Sequence, residues 1–172
     1  MMRQVGWSIV RILGPAVLIA FSLGAVVADA QTVADSSKLT FWQEGDPGEP
    51  MHLRGRIVSA TGAPIAGAVV SLRQADGSAT YQPDRYNGTL ISAGDGSFEL
   101  RTVLPGQYAS AKHIHVNVTH DAYMPLYTEI LFRGDPNSVR EPSAGNEVVL
   151  EEVRISGETV LVGGVELVMS SN

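Results

Sequence analysis

Apolar and polar residues alternate most clearly in "HIHVNVTH", residues 113–120. Ile114, Val116 and Val118 would face one side of an extended strand, because successive side chains of a strand point to opposite faces. Further strands are predicted for "HLRGRIVSA", "AVVSLRQA", "GSFELRTV", "LYTEILF", "NEVVLEEVRI" and "ETVLVGGVELVM". Glycine and proline clusters separate these segments at intervals of about ten residues, which is typical of a sandwich. The pattern predicts an all-β fold, an antiparallel β-sandwich.

Residues 1–30 have a different pattern. Arg3 and Arg11 precede the apolar run "ILGPAVLIAFSLGAVV", which is followed by "ADA". This order is typical of a cleaved signal peptide, and the alternative is a transmembrane anchor. Gly14, Pro15 and the small residues before the "ADA" site favour cleavage. We therefore expect an exported protein, periplasmic or secreted, that has no membrane segment after cleavage.

Residues 31–47 are mostly polar and end in a segment with Gly45 and Pro47, so we predict a flexible linker there. Residues 48–172 are predicted to form one sandwich domain. The net charge is −6, and cleavage would remove two arginines and one aspartate, leaving −7. An acidic chain without a run of lysine or arginine is a poor partner for nucleic acid. The absence of cysteine excludes disulfides and thiolate metal ligands. The oligomeric state stays open.

The candidate chemistry begins with His113 and His115, which share the polar face of their strand. A half-exposed strand without any metal would show the same alternation. Tyr108 lies five residues before His113, a distance of about 17 Å if extended, so it reaches the histidines only if the chain turns back. Phenolate and imidazole ligands would together suit an oxidised metal ion. His120 stays open as a third histidine of a zinc or copper site.

Four stretches, in the same order, resemble the intradiol ring-cleavage dioxygenases. They cover about residues 48–136 and read "LRGRIVSATGAPIAGAVVSLRQADGSATY", "SAGDGSFELRTVLPGQY", "HIHVNV" and "LYTEILFRGDP". The resemblance implies a sandwich of the intradiol dioxygenase core type. It also implies a non-haem Fe(III) enzyme that uses O₂ to open a catechol-type aromatic ring between its two hydroxyls.

The same resemblance implies four iron ligands, Tyr81, Tyr108, His113 and His115. Tyr108 and His115 would be the axial pair, with Tyr81 and His113 equatorial. Tyr86, in "PDRYNG", is the alternative to Tyr81 because it lies close in the sequence.

The chain departs from the family pattern at several positions. Arg73 replaces a tryptophan, Ser110 replaces an arginine near the histidines, and Glu129 replaces a glutamine. Lys112 lies next to the histidine pair and is the candidate substitute for the missing arginine. We therefore predict that Tyr108, Lys112 and Glu129 take part in catalysis.

A second hypothesis is a non-catalytic binding module. The stretch "GRIVSATGAPIAGAVVSL", with the later "GDGSFELRTVLPGQY", also resembles carboxypeptidase-regulatory and transthyretin-like sandwiches, whose glycines serve turns. Such modules have no reason to carry "HIH" after the tyrosine or the "TEILFRGDP" segment. The dioxygenase is therefore the favoured hypothesis.

Overall fold

The computed structural model describes residues 36–82, 84–107, 111–138 and 146–172. The predicted signal peptide, residues 1–30, lies outside these ranges, as do Tyr108 and Ser110. The described residues contain no helix, and hence none that could cross a membrane.

Ten strands account for the secondary structure of the described ranges. In chain order they are β1 (Lys38–Thr40), β2 (Pro50–Ser59), β3 (Val69–Arg73), β4 (Asn87–Ile91), β5 (Ser97–Val103), β6 (His113–His120), β7 (Tyr123–Phe132), β8 (Glu147–Val148), β9 (Glu151–Ile155) and β10 (Glu158–Met169).

The strands form two five-stranded sheets, with the orders β1-β5-β2-β10-β9 and β4-β3-β6-β7-β8. The all-β prediction is confirmed. The sheets are not purely antiparallel, because β1 runs parallel to β5, β10 to β2, and β7 to β8. Parallel neighbours need a long connection between them, so they join parts of the chain that are distant in sequence. The alternation of apolar and polar residues within one strand does not show which distant strand will pair with it.

The core lies between the two sheets. It is built from the residues that point inward at every second position of the strands. In β6, Ile114, Val116 and Val118 are at most 3% exposed, as the sequence pattern predicts. Burying an aliphatic side chain of this size contributes about 1.5–3 kcal/mol relative to exposure. Because the apolar residues point inward, the alternate residues of β6, including His113 and His115, lie on the outer face of their sheet.

Gly55 makes room in the core for an aromatic ring. It pairs with Phe98 across β2 and β5, and a Cβ at position 55 would lie only 1.9 Å from Cζ of Phe98. A glycine inside a strand is otherwise unfavourable, and close approach of another group is its usual reason. The ring, 2% exposed, therefore packs directly on the backbone of β2.

The described part of the predicted linker, residues 36–47, differs from that prediction. Lys38–Thr40 form β1, which extends one sheet by pairing with β5, and Phe41 is 8% exposed. Leu39 packs against the core beside it. One apolar residue in a three-residue strand and one just after it are too short a signal to separate from a polar linker.

Candidate metal centre

Three predicted ligands meet on the outer face of the sheet that contains β6. Nε2 of His115 lies 3.1 Å from the Tyr81 hydroxyl and 3.3 Å from Nε2 of His113. Ligand atoms that share one ion at about 2 Å lie roughly 3 Å from one another. The spacing of these three atoms therefore matches the donor set of a single metal ion.

His113 is held in one tautomer by the backbone. Its Nδ1 lies 2.7 Å from the carbonyl oxygen of Ala111, which can only accept a hydrogen bond. Nδ1 therefore carries the proton, and Nε2 presents a lone pair towards His115. A histidine that donates its far ring N–H to a carbonyl is the usual arrangement of a metal ligand.

His115 is oriented from behind by Glu129, its cross-strand neighbour on β7. Nδ1 of His115 lies 3.6 Å from Oε1 of Glu129, on the side of the ring opposite the other donors. Burial, followed by repulsion from His113, lowers the pKa of His115 despite the opposing effect of Glu129. The neutral imidazole is thus favoured, and its Nε2 can accept from the Tyr81 hydroxyl or bind a cation.

Nε2 of His113 is an acceptor in this tautomer and lies 3.3 Å from Nε2 of His115. Either a proton on Nε2 of His115 or a cation held between the two nitrogens would join the pair. A phenol oxygen and two imidazoles are a mixed hard and borderline set, which fits an oxidised iron ion. One carboxylate oxygen of Glu129 also lies within 4.8 Å of a ring nitrogen of each histidine, so the centre includes a carboxylate close by.

Tyr81 reaches the histidines because Asp76 orders the loop that carries it. The Asp76 carboxylate, in a residue only 3% exposed, accepts hydrogen bonds from the backbone N–H groups of Ser78 and Thr80, each at 2.9 Å. It also accepts one from the Gln82 side chain at 2.8 Å. These bonds fold residues 76–82 into a compact turn, and Tyr81 projects from it towards β6.

Buried contacts with the preceding and following loops fix the position of this turn. The Gln74 side chain, fully buried, donates to the carbonyls of Ala75 and Val103 and accepts from the Thr102 hydroxyl. A Cβ at Gly106 would lie 2.3 Å from the backbone nitrogen of Ala79, so only glycine permits this approach. The segment of residues 74–76 and the segment of residues 105–106 thus hold in place the turn that carries Tyr81.

Gln74 and Asp76 are the functional residues that sequence reasoning missed. Both belong to "RQADGSATY". The signal that could have identified them is that two polar residues lie at the end of a predicted strand. Their role depends on burial and on partners as far away as Val103, which the local pattern does not show.

Arg73 also lies at the centre. It is the cross-strand neighbour of His115 in the pairing of β3 with β6. Its guanidinium carbon is 4.8 Å from the centroid of the Tyr81 ring. A guanidinium over a phenol ring is a favourable cation–π contact, worth about 0.5–1 kcal/mol at an exposed site. Arg73 therefore occupies the position of the family's tryptophan and makes a different contact with the tyrosine.

The predictions for Lys112 and Tyr108 stand differently against the structure. The backbone N–H of Lys112 donates to the Asp135 carboxylate at 2.6 Å, which fixes the start of β6. Among the described residues, the Lys112 side chain forms no hydrogen bond or ion pair with Tyr81, His113 or His115. Tyr108, the fourth predicted ligand, lies outside the described residues.

Two alternatives from the sequence lie away from the centre. Tyr86 is 1% exposed and packs edge-on against Phe41, and burial followed by the Asp46 carboxylate raises its pKa to about 12. Such a phenol resists the ionisation that a metal-bound tyrosinate requires. His120 lies seven residues beyond His113 along β6, about 23 Å away, and packs edge-on against Tyr123.

Comparisons with known proteins agree with the fold of the sandwich. A model of the family described as Dioxygenase matches residues 25–153. Chlorocatechol 1,2-dioxygenase of Rhodococcus opacus is 30% identical over 146 residues, which are 66% of this chain and 57% of the relative. The chain thus spans little more than half the length of that relative.

Two solved structures share the fold. Catechol 1,2-dioxygenase from Pseudomonas arvilla C-1 superposes with a TM-score of 0.72 at 20% identity, covering 78% of this chain and 56% of that one. The dioxygenase domain of a dioxygenase carbohydrate-binding fusion from Streptomyces sp. SirexAA-E has a TM-score of 0.61 at 24% identity. That match covers 76% of this chain and 88% of the Streptomyces chain.

Proposed function

The chain belongs to the intradiol ring-cleavage dioxygenase family, and from that premise we propose that it uses Fe(III) and O₂ to open a catechol-type ring between its two hydroxyls. The observation that carries this proposal is the convergence of the Tyr81 hydroxyl and Nε2 of His113 on Nε2 of His115, at 3.1 and 3.3 Å, on one sheet face. No contact among the described residues favours the alternative, a non-catalytic binding module.

The reaction balances without an external reductant. The carbon–carbon bond between the two hydroxyl-bearing carbons breaks, and each of these carbons becomes a carboxylic acid. Both atoms of O₂ enter the product, a muconic acid, so the aromatic substrate supplies all the electrons. The substrates we propose are catechol and chlorinated catechols, because chlorocatechol is the substrate in the name of the Rhodococcus relative.

The residues that would hold Fe(III) are Tyr81, His113 and His115, with Tyr108 as the fourth ligand from the sequence resemblance. The chemistry that a bound Fe(III) ion supplies is Lewis acidity towards the two catechol oxygens. The chain supplies the geometry, because Ala111 orients His113 and Glu129 orients His115. Donors fixed in this way need no rearrangement when an ion binds.

Arg73 and Glu129 set the charge around the proposed centre, on either side of His115. Arg73 holds the Tyr81 ring by its stacking contact and places a positive charge beside the donors. Glu129 adds a negative charge where the family pattern has a neutral glutamine. We propose that Arg73, rather than Lys112, offsets the negative charge of a bound catechol, because only Arg73 contacts a donor residue.

The proposal includes export. Its support is the N-terminal pattern of Arg3, the apolar run and the "ADA" site. N-terminal sequencing of the protein recovered from a bacterial host would test it. A mature terminus near Gln31 in the periplasmic fraction is expected, and an intact N-terminus in the cytoplasm would contradict export.

Iron loading followed by oxygen uptake tests the activity. The loaded protein should consume one O₂ per catechol, and Tyr108→Phe should lose most of this uptake. Tyr127→Phe is the matched control, since Tyr127 is 74% exposed on the adjacent strand. Iron-loaded protein that consumes no O₂ with catechol or any chlorocatechol would contradict the proposed activity.

A further inference from the structure

Strand β9 is an exposed sheet edge with apolar residues. It pairs with β10 on one side, and no other described strand lies on its second side. All five of its residues are exposed, including Val153 at 40% and Ile155 at 46%. An edge strand of this kind is a template for pairing with another strand, and proteins usually block it with a bulge, a proline or a covering segment.

The hairpin fixes which backbone groups of β9 are available. Ser156 and Gly157 connect β9 to β10 with φ values of 52° and 93°, as in a two-residue type I′ turn. The flanking pair, Ile155 and Glu158, is then hydrogen-bonded, and the bonded pairs recur at every second residue. The N–H and C=O groups of Glu152 and Arg154 therefore point away from β10, towards the open edge.

The sequence of β9, "EEVRI", is complementary to itself when read antiparallel. A two-fold axis at Val153 brings Glu152 of each copy opposite Arg154 of the other. Those are the residues with outward-pointing backbone groups, so the hydrogen bonds and the charge pairs form in the same register. Opposite charges directly across a sheet contribute about 0.2–1 kcal/mol per pair.

The neighbouring registers are unfavourable. An axis at Glu152 would place glutamate against glutamate, and an axis at Arg154 would place arginine against arginine. A register shifted by one residue would align outward-pointing groups with groups already bonded to β10, which leaves no ladder. The charges and the hydrogen bonds thus select a single register.

We propose that two copies of this chain associate through their β9 strands, antiparallel and centred on Val153, into one continuous ten-stranded sheet. The occupant of the edge is a second copy because the complementarity of Glu152 with Arg154 is symmetric. Such an isologous contact closes on itself and gives a dimer rather than a fibre. The inference is independent of the proposed activity, since β9 belongs to the sheet that does not contain His113 and His115.

Charge exchange tests the proposal. The purified wild-type protein should elute in light scattering at twice the mass of its own chain. Glu152→Arg and Arg154→Glu should each weaken the dimer about tenfold or more, since each replaces two attractive pairs by repulsive ones. An equimolar mixture of the two variants should form the heterodimer again, because their edges are complementary. The double variant, with both residues exchanged, should also dimerise.

The rescue by mixing separates loss of the interface from loss of the fold. Arg154→Pro is a further variant, since it removes an outward-pointing N–H together with the charged side chain and leaves the ladder to β10 intact. It should be monomeric with unchanged far-ultraviolet circular dichroism. A monomeric wild type overturns the proposal, as would occupation of the edge by residues 1–35 or by another protein. Dimers that persist in both single variants, or single variants that fail to pair when mixed, overturn it as well.

Discussion

Each donor residue of the candidate centre also contacts a residue that is not a donor. His113 is held by the Ala111 carbonyl, His115 by Glu129 and the Tyr81 ring by Arg73. Their three reactive atoms therefore face one another at 3.1 and 3.3 Å. At this scale the function depends on the partners behind the ligands as much as on the ligands.

Glu129 provides the first test of this arrangement. Glu129→Ala should weaken iron binding about ten- to a hundredfold, because His115 loses the partner that fixes its ring. Glu129→Gln should have a smaller effect, since the amide keeps a polar oxygen beside Nδ1 of His115. Iron titration followed in the visible spectrum measures both. Glu166→Gln, at an exposed position of β10, is the control. Equal affinity of the alanine variant and the wild type would show that Glu129 does not orient His115.

Tyr86 predicts a pH dependence of stability. Its folded-state pKa of about 12 exceeds the ordinary value of 10.0, so the folded protein keeps a proton that the unfolded chain loses. The contribution is complete below pH 10 and is lost as pH rises from about 10 to 12, at up to about 1.4 kcal/mol per unit. Urea unfolding of the wild type and Tyr86→Phe at about pH 8 and about pH 11 measures it.

The difference in unfolding free energy between wild type and Tyr86→Phe should shift by about 1–2 kcal/mol against the wild type at the higher pH. Other tyrosines and lysines titrate in both proteins and cancel in this comparison. The same difference at both pH values would mean that the Tyr86 phenol has an ordinary pKa.

At the scale of elements, the loop of residues 76–82 positions Tyr81, and strand β6 positions His113 and His115. The centre depends on both. The sequence predicted β6 and its polar face because alternation is a local property. It did not predict how the loop folds, because the bonds of Asp76 and Gln74 become visible only when distant residues such as Val103 are placed beside them. Strand β1 could not be predicted for the same reason, because the strand it pairs with, β5, lies about sixty residues further along the chain.

Asp76→Ala tests the loop. It removes the acceptor of two backbone N–H groups and the Gln82 amide, so we expect a loss of about 2–4 kcal/mol in unfolding free energy. The iron-loaded variant should also lose the spectroscopic contribution of Tyr81. Asp121→Ala, at the exposed turn between β6 and β7, is the control for both readouts. Unchanged stability in Asp76→Ala would contradict the role of this carboxylate.

At the scale of the whole molecule, the two sheets carry different features. The sheet of β3, β6 and β7 presents the donor atoms, and the opposite sheet carries the open β9 edge. The number and type of strands could be predicted from apolar alternation and turn residues. The order of strands within the sheets could not, because it depends on pairings such as β2 with β10, between the two ends of the domain.

The visible spectrum of the Fe(III)-loaded protein tests the central claim most directly, because tyrosinate bound to Fe(III) gives a charge-transfer band. The wild type should be coloured, and Tyr81→Phe should lose about half of the band, since one of the two proposed tyrosinates is removed. Tyr127→Phe should keep it in full. A colourless wild type after iron loading, or a band unchanged by Tyr81→Phe, would contradict the metal centre described above.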